Sequence, residues 1–197
     1  MKSLPRAILM LAVLTVLTGL VYPLAITAIA AIVFPEQSGG SLAYVNGRIV
    51  GSHLIGQNFA DSAYFWPRPS ATNYSAMPSG GSNLNPISHA LRTAIDARRD
   101  AFRSANGLSA NDTVPNDMLF ISGSGLDPDI SPDAARLQIG RIARKRHLTN
   151  PQQAALSSLF ERSIIPPQLG FLGSTHINVL QLNKDLNQLG GCNTMQE

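Results

Sequence analysis

The side chains that could do chemistry are four histidines, one cysteine and two loops rich in serine and glycine. His53, His89, His147 and His176 are far apart in sequence, with no metal-like pairing and no cysteine companions, so each reads as a surface or satisfied histidine. Cys192 stands alone near the C-terminus and cannot form an internal disulfide, so it does not decide the redox compartment. No Gly-Lys-Ser/Thr triplet occurs, so the nucleotide-cradling loop with its reaching lysine is absent.

The first loop runs Ser122-Gly123-Ser124-Gly125-Leu126-Asp127-Pro128. It comes near the G-x-S-x-G nucleophile elbow but lacks the first glycine, and no triad accompanies it. Backbone amides in a glycine-rich loop ahead of a helix could cradle an anion. Asp127 and Asp129 would repel that anion, so a tight turn feeding a capped helix is the better reading. Asp127, Asp129, Ser131 and Asp133 alternate as in a calcium loop, but the central glycine is missing and position 138 is Gln where the terminal glutamate belongs. The second loop, Tyr64 to Asn83, carries Tyr64, Trp66, Arg68 and the run Ser79-Gly80-Gly81-Ser82-Asn83. Aromatic and arginine side chains on a polar loop suit a partner surface, with packing on its own domain the equal alternative. No catalytic residue and no metal ligand set emerges, so a self-sufficient enzyme is not expected.

The elements that must position these loops fall into two parts. From Ala7 to Phe34 there are 28 residues without a charge, enough to cross a bilayer core that needs about 20. Only Thr15, Thr18, Thr27 and Tyr22 interrupt the apolar surface, so this is a membrane helix and not a buried soluble one. A cleaved signal peptide has an apolar region of about 7–15 residues, which favours an uncleaved anchor here. Pro23 falls mid-helix and is expected to kink it. Gly19 and the nearby alanines offer small surfaces for helix packing. Lys2 and Arg6 precede the helix, whereas Glu36 follows it and the next basic residue is Arg48. The positive-inside rule therefore leaves residues 1–6 in the cytoplasm and exports residues 36–197. Removing Lys2 and Arg6 from the 15 Lys+Arg leaves 13 against 12 Asp+Glu, so the exported part is nearly neutral at +1. Nothing in it resembles a nucleic-acid surface.

Within that part, Asn46-Gly47 predicts a two-residue hairpin turn. Pro86 is expected to open a helix capped by Asn85 and closed by Asn106-Gly107. Residues 114–121 read as a short strand or buried edge. Ser131-Pro132-Asp133 starts a second helix, whose last turns carry Arg141, Arg144, Lys145 and Arg146. Thr149-Asn150-Pro151-Gln152 starts a third with a capping box. Gly170 to Gly173 turns the chain, Ile177, Val179 and Leu180 predict a strand, and an amphipathic turn or two follows through Leu186 and Leu189. The expected fold class is a mixed α/β (α+β) soluble domain with few strands, preceded by one transmembrane α-helix.

Taken in order, these pieces resemble one family. Gly51 to Gln57, Phe65 to Ala71 with its Arg68-Pro69-Ser70-Ala71 core, Ser79 to Leu84, Ser122 to Pro128 with Ile130-Ser131-Pro132, and Asn178 to Asn183 are similar to the C subunit of the Kdp potassium-transporting P-type ATPase. Tyr22-Pro23 in the N-terminal helix fits as well. Single motifs are weak, but the ordered set spans nearly the whole chain. Phe65-Trp66-Pro67, Lys184 and Gln188 depart from the family pattern and leave the details of a partner surface open. The resemblance implies a non-catalytic accessory subunit in a bacterial inner membrane. Its partners would be a channel-like potassium-binding subunit, the P-type ATPase subunit and a very small helical subunit. It implies contacts to those partners through Gly19, Tyr22, Pro23 and the Tyr64–Asn83 loop, and ATP as a ligand at Ser122, Gly123, Ser124, Gly125, Leu126 and Asp127. Export of the domain speaks against that ATP role and for a cap over the potassium entrance. The alternative from another class is a membrane-tethered secreted hydrolase.

Overall fold

The computed structural model describes residues 3–189; Lys2 and Cys192 lie outside the described residues. Contacts divide the chain into two compact units at Leu42/Ala43.

The first unit is built on one continuous helix, Ser3–Val33, of 31 residues, long and apolar enough to cross a membrane. At about 1.5 Å per residue it reaches about 46 Å, more than a bilayer core requires. It comprises α1 (Ser3–Val16), a π-helical turn (Leu17–Val21) and α2 (Tyr22–Val33). The π turn has a chemical cause. Pro23 has no N–H to offer four residues back, and its ring crowds the carbonyl there. The chain widens just upstream instead, and the Tyr22 N–H donates to the Leu17 carbonyl five residues earlier. The expected kink site is thus a π bulge holding Gly19, with Tyr22 and Pro23 as the next two residues. A short α3 (Pro35–Ser38) follows.

The second unit begins at the hairpin. Strands β1 (Leu42–Val45) and β2 (Arg48–Ser52) pair across Asn46 and Gly47, which both take positive φ, as expected for this dipeptide. Helix α4 (His89–Asn106) starts three residues later than the sequence predicted. Ser88 caps it by accepting from Leu91 N–H, while Asn85 Oδ1 accepts from Ile87 N–H in a local turn. Asn85 therefore caps a turn that keeps Pro86 and Ile87 outside the helix. Gly107, at φ 69°, ends the helix as read. Residues 114–121 are no strand: α5 (Asn116–Leu119) is a single helical turn that follows Pro115 and buries Met118 and Leu119.

Helix α6 (Pro132–Lys145) has Ser131 as its cap, and α7 (Asn150–Arg162) has the Thr149–Gln152 capping box, both as predicted. The expected strand near 177–180 is cut to β4 (Ile177–Asn178), because Asn178 Oδ1 accepts from Gln181 N–H and opens α8 (Val179–Leu189). β4 pairs antiparallel with β3 (Asp129–Ile130), with Ile130 opposite Ile177. The core between α4, α6, α7 and α8 is closed by Phe65, Phe102, Ile142, Leu156, Phe160 and Leu182. The fold class is thus the mixed α+β domain expected, with two small two-stranded sheets among the described residues.

Candidate functional site

Residues 61–64 make a turn, closed by Tyr64 N–H donating to the Asp61 carbonyl, and Phe65 and Trp66 follow outside any strand, so side chains supply their backbone partners. Phe65 N–H donates to Asn183 Oδ1 (2.8 Å) and Asn183 Nδ2 donates to the Phe65 carbonyl (2.9 Å). Trp66 N–H donates to Gln138 Oε1 (2.7 Å), and Gln138 Nε2 returns a bond to the Trp66 carbonyl (3.3 Å). Arg141, only 2 % exposed, donates to the carbonyls of Ser62 and Tyr64, to Gln138 Oε1 and to Asn106 Oδ1. Its guanidinium also lies 3.9 Å from the centre of the Trp66 ring. Arg146 donates to the Ala63 carbonyl and sits over Tyr64. Burial lowers the Arg141 pKa to about 10, partly offset by Asp61, so it stays cationic at neutral pH.

The braced segment delivers Arg68 to the glycine-serine loop. Arg68 Nη1 donates to Asp127 Oδ2 at 2.7 Å. Around this pair the two polar loops read separately in the sequence meet. Ser122 N–H donates to the Pro69 carbonyl, Gly80 N–H to the Ser124 carbonyl (2.9 Å), and Gly56 N–H to the Leu126 carbonyl (2.7 Å). Gly125 has φ +69°, and a Cβ there would lie 2.8 Å from the Gly80 carbonyl oxygen and about as close to Thr72 and Ser70. A Cβ on Gly56 would lie 2.6 Å from the Asp127 carbonyl oxygen. Tyr74 donates its hydroxyl to the Arg68 carbonyl, and burial raises its pKa to about 12. Asn178 ties in the last motif through the His53 carbonyl and Asp129. All five segments that carried the resemblance in the soluble part therefore converge on one knot.

Beside the knot lies an open cleft of about 830 Å³. Arg68, Asp117, Asp127 and Asp129 line one part, and Leu172 to His176 line another. Asp117 is spent on the start of α6, accepting from Ser131 N–H and Oγ. Asp129 faces His176 Nε2 at 3.9 Å. Its pKa is raised, first by burial and also by Asp127, against the lowering effects of His176 and Asn178. Among the described residues no three His, Cys, Asp or Glu side chains gather as a metal site. Of the calcium-like acids, Asp127 pairs with Arg68 and Asp133 lies 3.7 Å from Arg136 on α6.

Of the residues expected at a partner surface, Ser79, Ser82 and Asn83 are exposed, Gly80 and Gly81 are half-buried against the 122–125 loop, and Trp66 is half-buried under Arg141. Tyr64 is 8 % exposed and belongs to the core. Of the loop expected to hold nucleotide, the amides of Ser122, Gly125 and Leu126 are engaged inside the protein, and Asp127 is held by Arg68. Sequence reasoning missed Gln138, Arg141 and Asn183. The available signal was a run of polar residues on the inner faces of α6 and α8, here matched to backbone groups 72 and 118 residues away.

A family model described as the K+-transporting ATPase, c chain, matches residues 4–188. The chain is 47 % identical over 193 residues to the potassium-transporting ATPase KdpC subunit of Polaromonas naphthalenivorans, covering 96 % of each protein. It is 48 % identical over 193 residues to that of Geobacter sulfurreducens, covering 96 % of this chain and 99 % of the relative. The KdpC subunit of Cereibacter sphaeroides is 45 % identical over 190 residues, again over nearly its full length.

Proposed function

The chain belongs to the K+-transporting ATPase c-chain family, and from that membership we propose that it is a non-catalytic accessory subunit of an ATP-driven potassium uptake complex. The observation that carries this reading is the match over residues 4–188, whose ordered motifs fold into a single knot around Arg68 and Asp127. Its partners are the channel-like potassium-binding subunit, the P-type ATPase subunit and the small helical subunit. The helix Ser3–Val33 anchors it in the bacterial inner membrane. With Arg6 in the helix's first turn, ahead of the uncharged stretch, and Glu36 after it, the N-terminus is cytoplasmic and the domain extracytoplasmic. There it stabilises the assembled complex and caps the potassium entrance.

Two arguments weigh against ATP as a ligand of the Ser122–Asp127 loop. Export separates the loop from cytoplasmic nucleotide, and its Ser122, Gly125 and Leu126 amides are already taken. A reporter enzyme active only outside the cytoplasm, fused to the C-terminus, tests the placement. Activity is expected; a silent fusion that becomes active only as a cytoplasmic reporter would overturn it.

A further inference from the structure

Between Arg162 and Lys184 the chain has no Asp, Glu, Lys or Arg. This uncharged stretch folds back on itself as a finger. Ile165 and His176 pair through both backbone bonds, and Gln168 pairs with Leu172 nearer the tip. The tip is apolar and faces outward: Leu169 is 83 % and Phe171 74 % exposed, and Leu172 and Ile165 are exposed as well. Leu169 and Gly170 hold φ of +54° and +82°. A leucine in the left-handed region costs about 1 kcal/mol, and here burial within the chain does not repay it. A fluid lipid surface has no use for such a fixed shape, whereas a protein pocket does. Along one side, from Leu172 down to His176, the finger shares the open cleft with Asp117, Asp127, Asp129 and Arg68. Three carboxylates against one guanidinium leave that wall at −2 with His176 neutral.

We propose that the finger and cleft form one docking surface for an extracytoplasmic loop of a membrane-embedded pump subunit, a loop with an apolar pocket for Phe171 and a lysine or arginine for the Asp129 side. This rests on the reading that the chain is a pump subunit, and it names which residues make the contact. Preformed aromatic and aliphatic anchors seated in a pocket dominate such interfaces, and the acidic wall selects the partner's charge.

The test co-expresses the tagged full-length chain with the other pump subunits and measures their recovery on the tag. Phe171→Asp should lower recovery at least tenfold while leaving the urea unfolding midpoint unchanged. Asp129→Asn should lower it less and flatten its dependence on salt. If Phe171→Asp shifts the midpoint, Leu169→Asp decides in its place. Full recovery with the folded variant overturns the docking surface but leaves the subunit reading intact. Failure of the unmodified chain to recover the subunits overturns both. A membrane role for the finger is read separately. In the full chain reconstituted alone into vesicles with brominated acyl chains, quenching of a Phe171→Trp variant beyond its parent would place the tip in lipid and overturn the proposal; no added quenching supports it.

Discussion

Asn183 treats the backbone of Phe65 as a neighbouring strand would, accepting from its N–H at 2.8 Å and donating to its carbonyl at 2.9 Å. Both groups are buried, so neither has water to fall back on. Gln138 repeats the arrangement one residue on, and Arg141 completes it. The segment that presents Arg68 is therefore held by amide and guanidinium side chains from α6 and α8.

Removing one of these supports should be costly. Asn183→Ala leaves a buried donor and acceptor unmet, and should destabilise the protein by about 2–4 kcal/mol. Urea unfolding of the full chain in detergent, followed by Trp66 fluorescence, measures it. A loss below about 0.5 kcal/mol, the size of an ordinary surface change, would contradict this role.

Arg141 should not be replaceable by another cation. Its planar fork serves several acceptors at once, and a lysine ammonium cannot reproduce that geometry. Arg141→Met should cost about 3 kcal/mol by stranding the Ser62 and Tyr64 carbonyls, and Arg141→Lys should recover only a minor part. The same unfolding measurement distinguishes the two variants.

The two glycines of the Ser-Gly-Ser-Gly run should behave oppositely. Gly125→Ala meets positive φ and the Gly80 carbonyl oxygen, and should cost about 2–3 kcal/mol. Gly123→Ala meets nothing within 4 Å and should change stability by less than about 0.5 kcal/mol. Equal effects at both positions would mean the two loops are not packed as described.

Asp129 gives a pH signature. Its folded-state pKa is raised above the ordinary 3.8, so the folded state holds its proton more tightly than the unfolded chain. The associated stability is present below 3.8 and is lost as pH rises through the raised value. Relative to Asp129→Asn, the unmodified protein should therefore lose stability as pH climbs from about 3.8 upward. His176→Gln removes a group that lowers this pKa, so an NMR titration of Asp129 should move upward in that variant.

Local chemistry was legible where one short segment decides the outcome. The Asn46-Gly47 turn, the Ser131 cap and the Thr149–Gln152 box all follow from side chains within three residues of the backbone they serve. Competition between nearby caps was not legible: Asn85 and Ser88 can each start a helix, and only Ser88 does. Residues 114–121 read as a short strand or buried edge by their apolar run, but the turn after Pro115 points Met118 and Leu119 inward just as well. The site itself was visible as an ordered set of motifs, not as contacts. Arg141 looked like one of several cations loading the end of α6 and is instead buried, because its partners come from a loop 77 and 79 residues away. No periodicity carries that information.

The most direct test of the accessory-subunit role is potassium-stimulated ATP hydrolysis by the pump purified with and without this chain. With the chain present, the complex should remain intact and hydrolyse ATP in response to potassium. Without it, the remaining subunits should dissociate and lose that stimulation. An intact complex with equal potassium-stimulated hydrolysis in the absence of this chain would contradict the account.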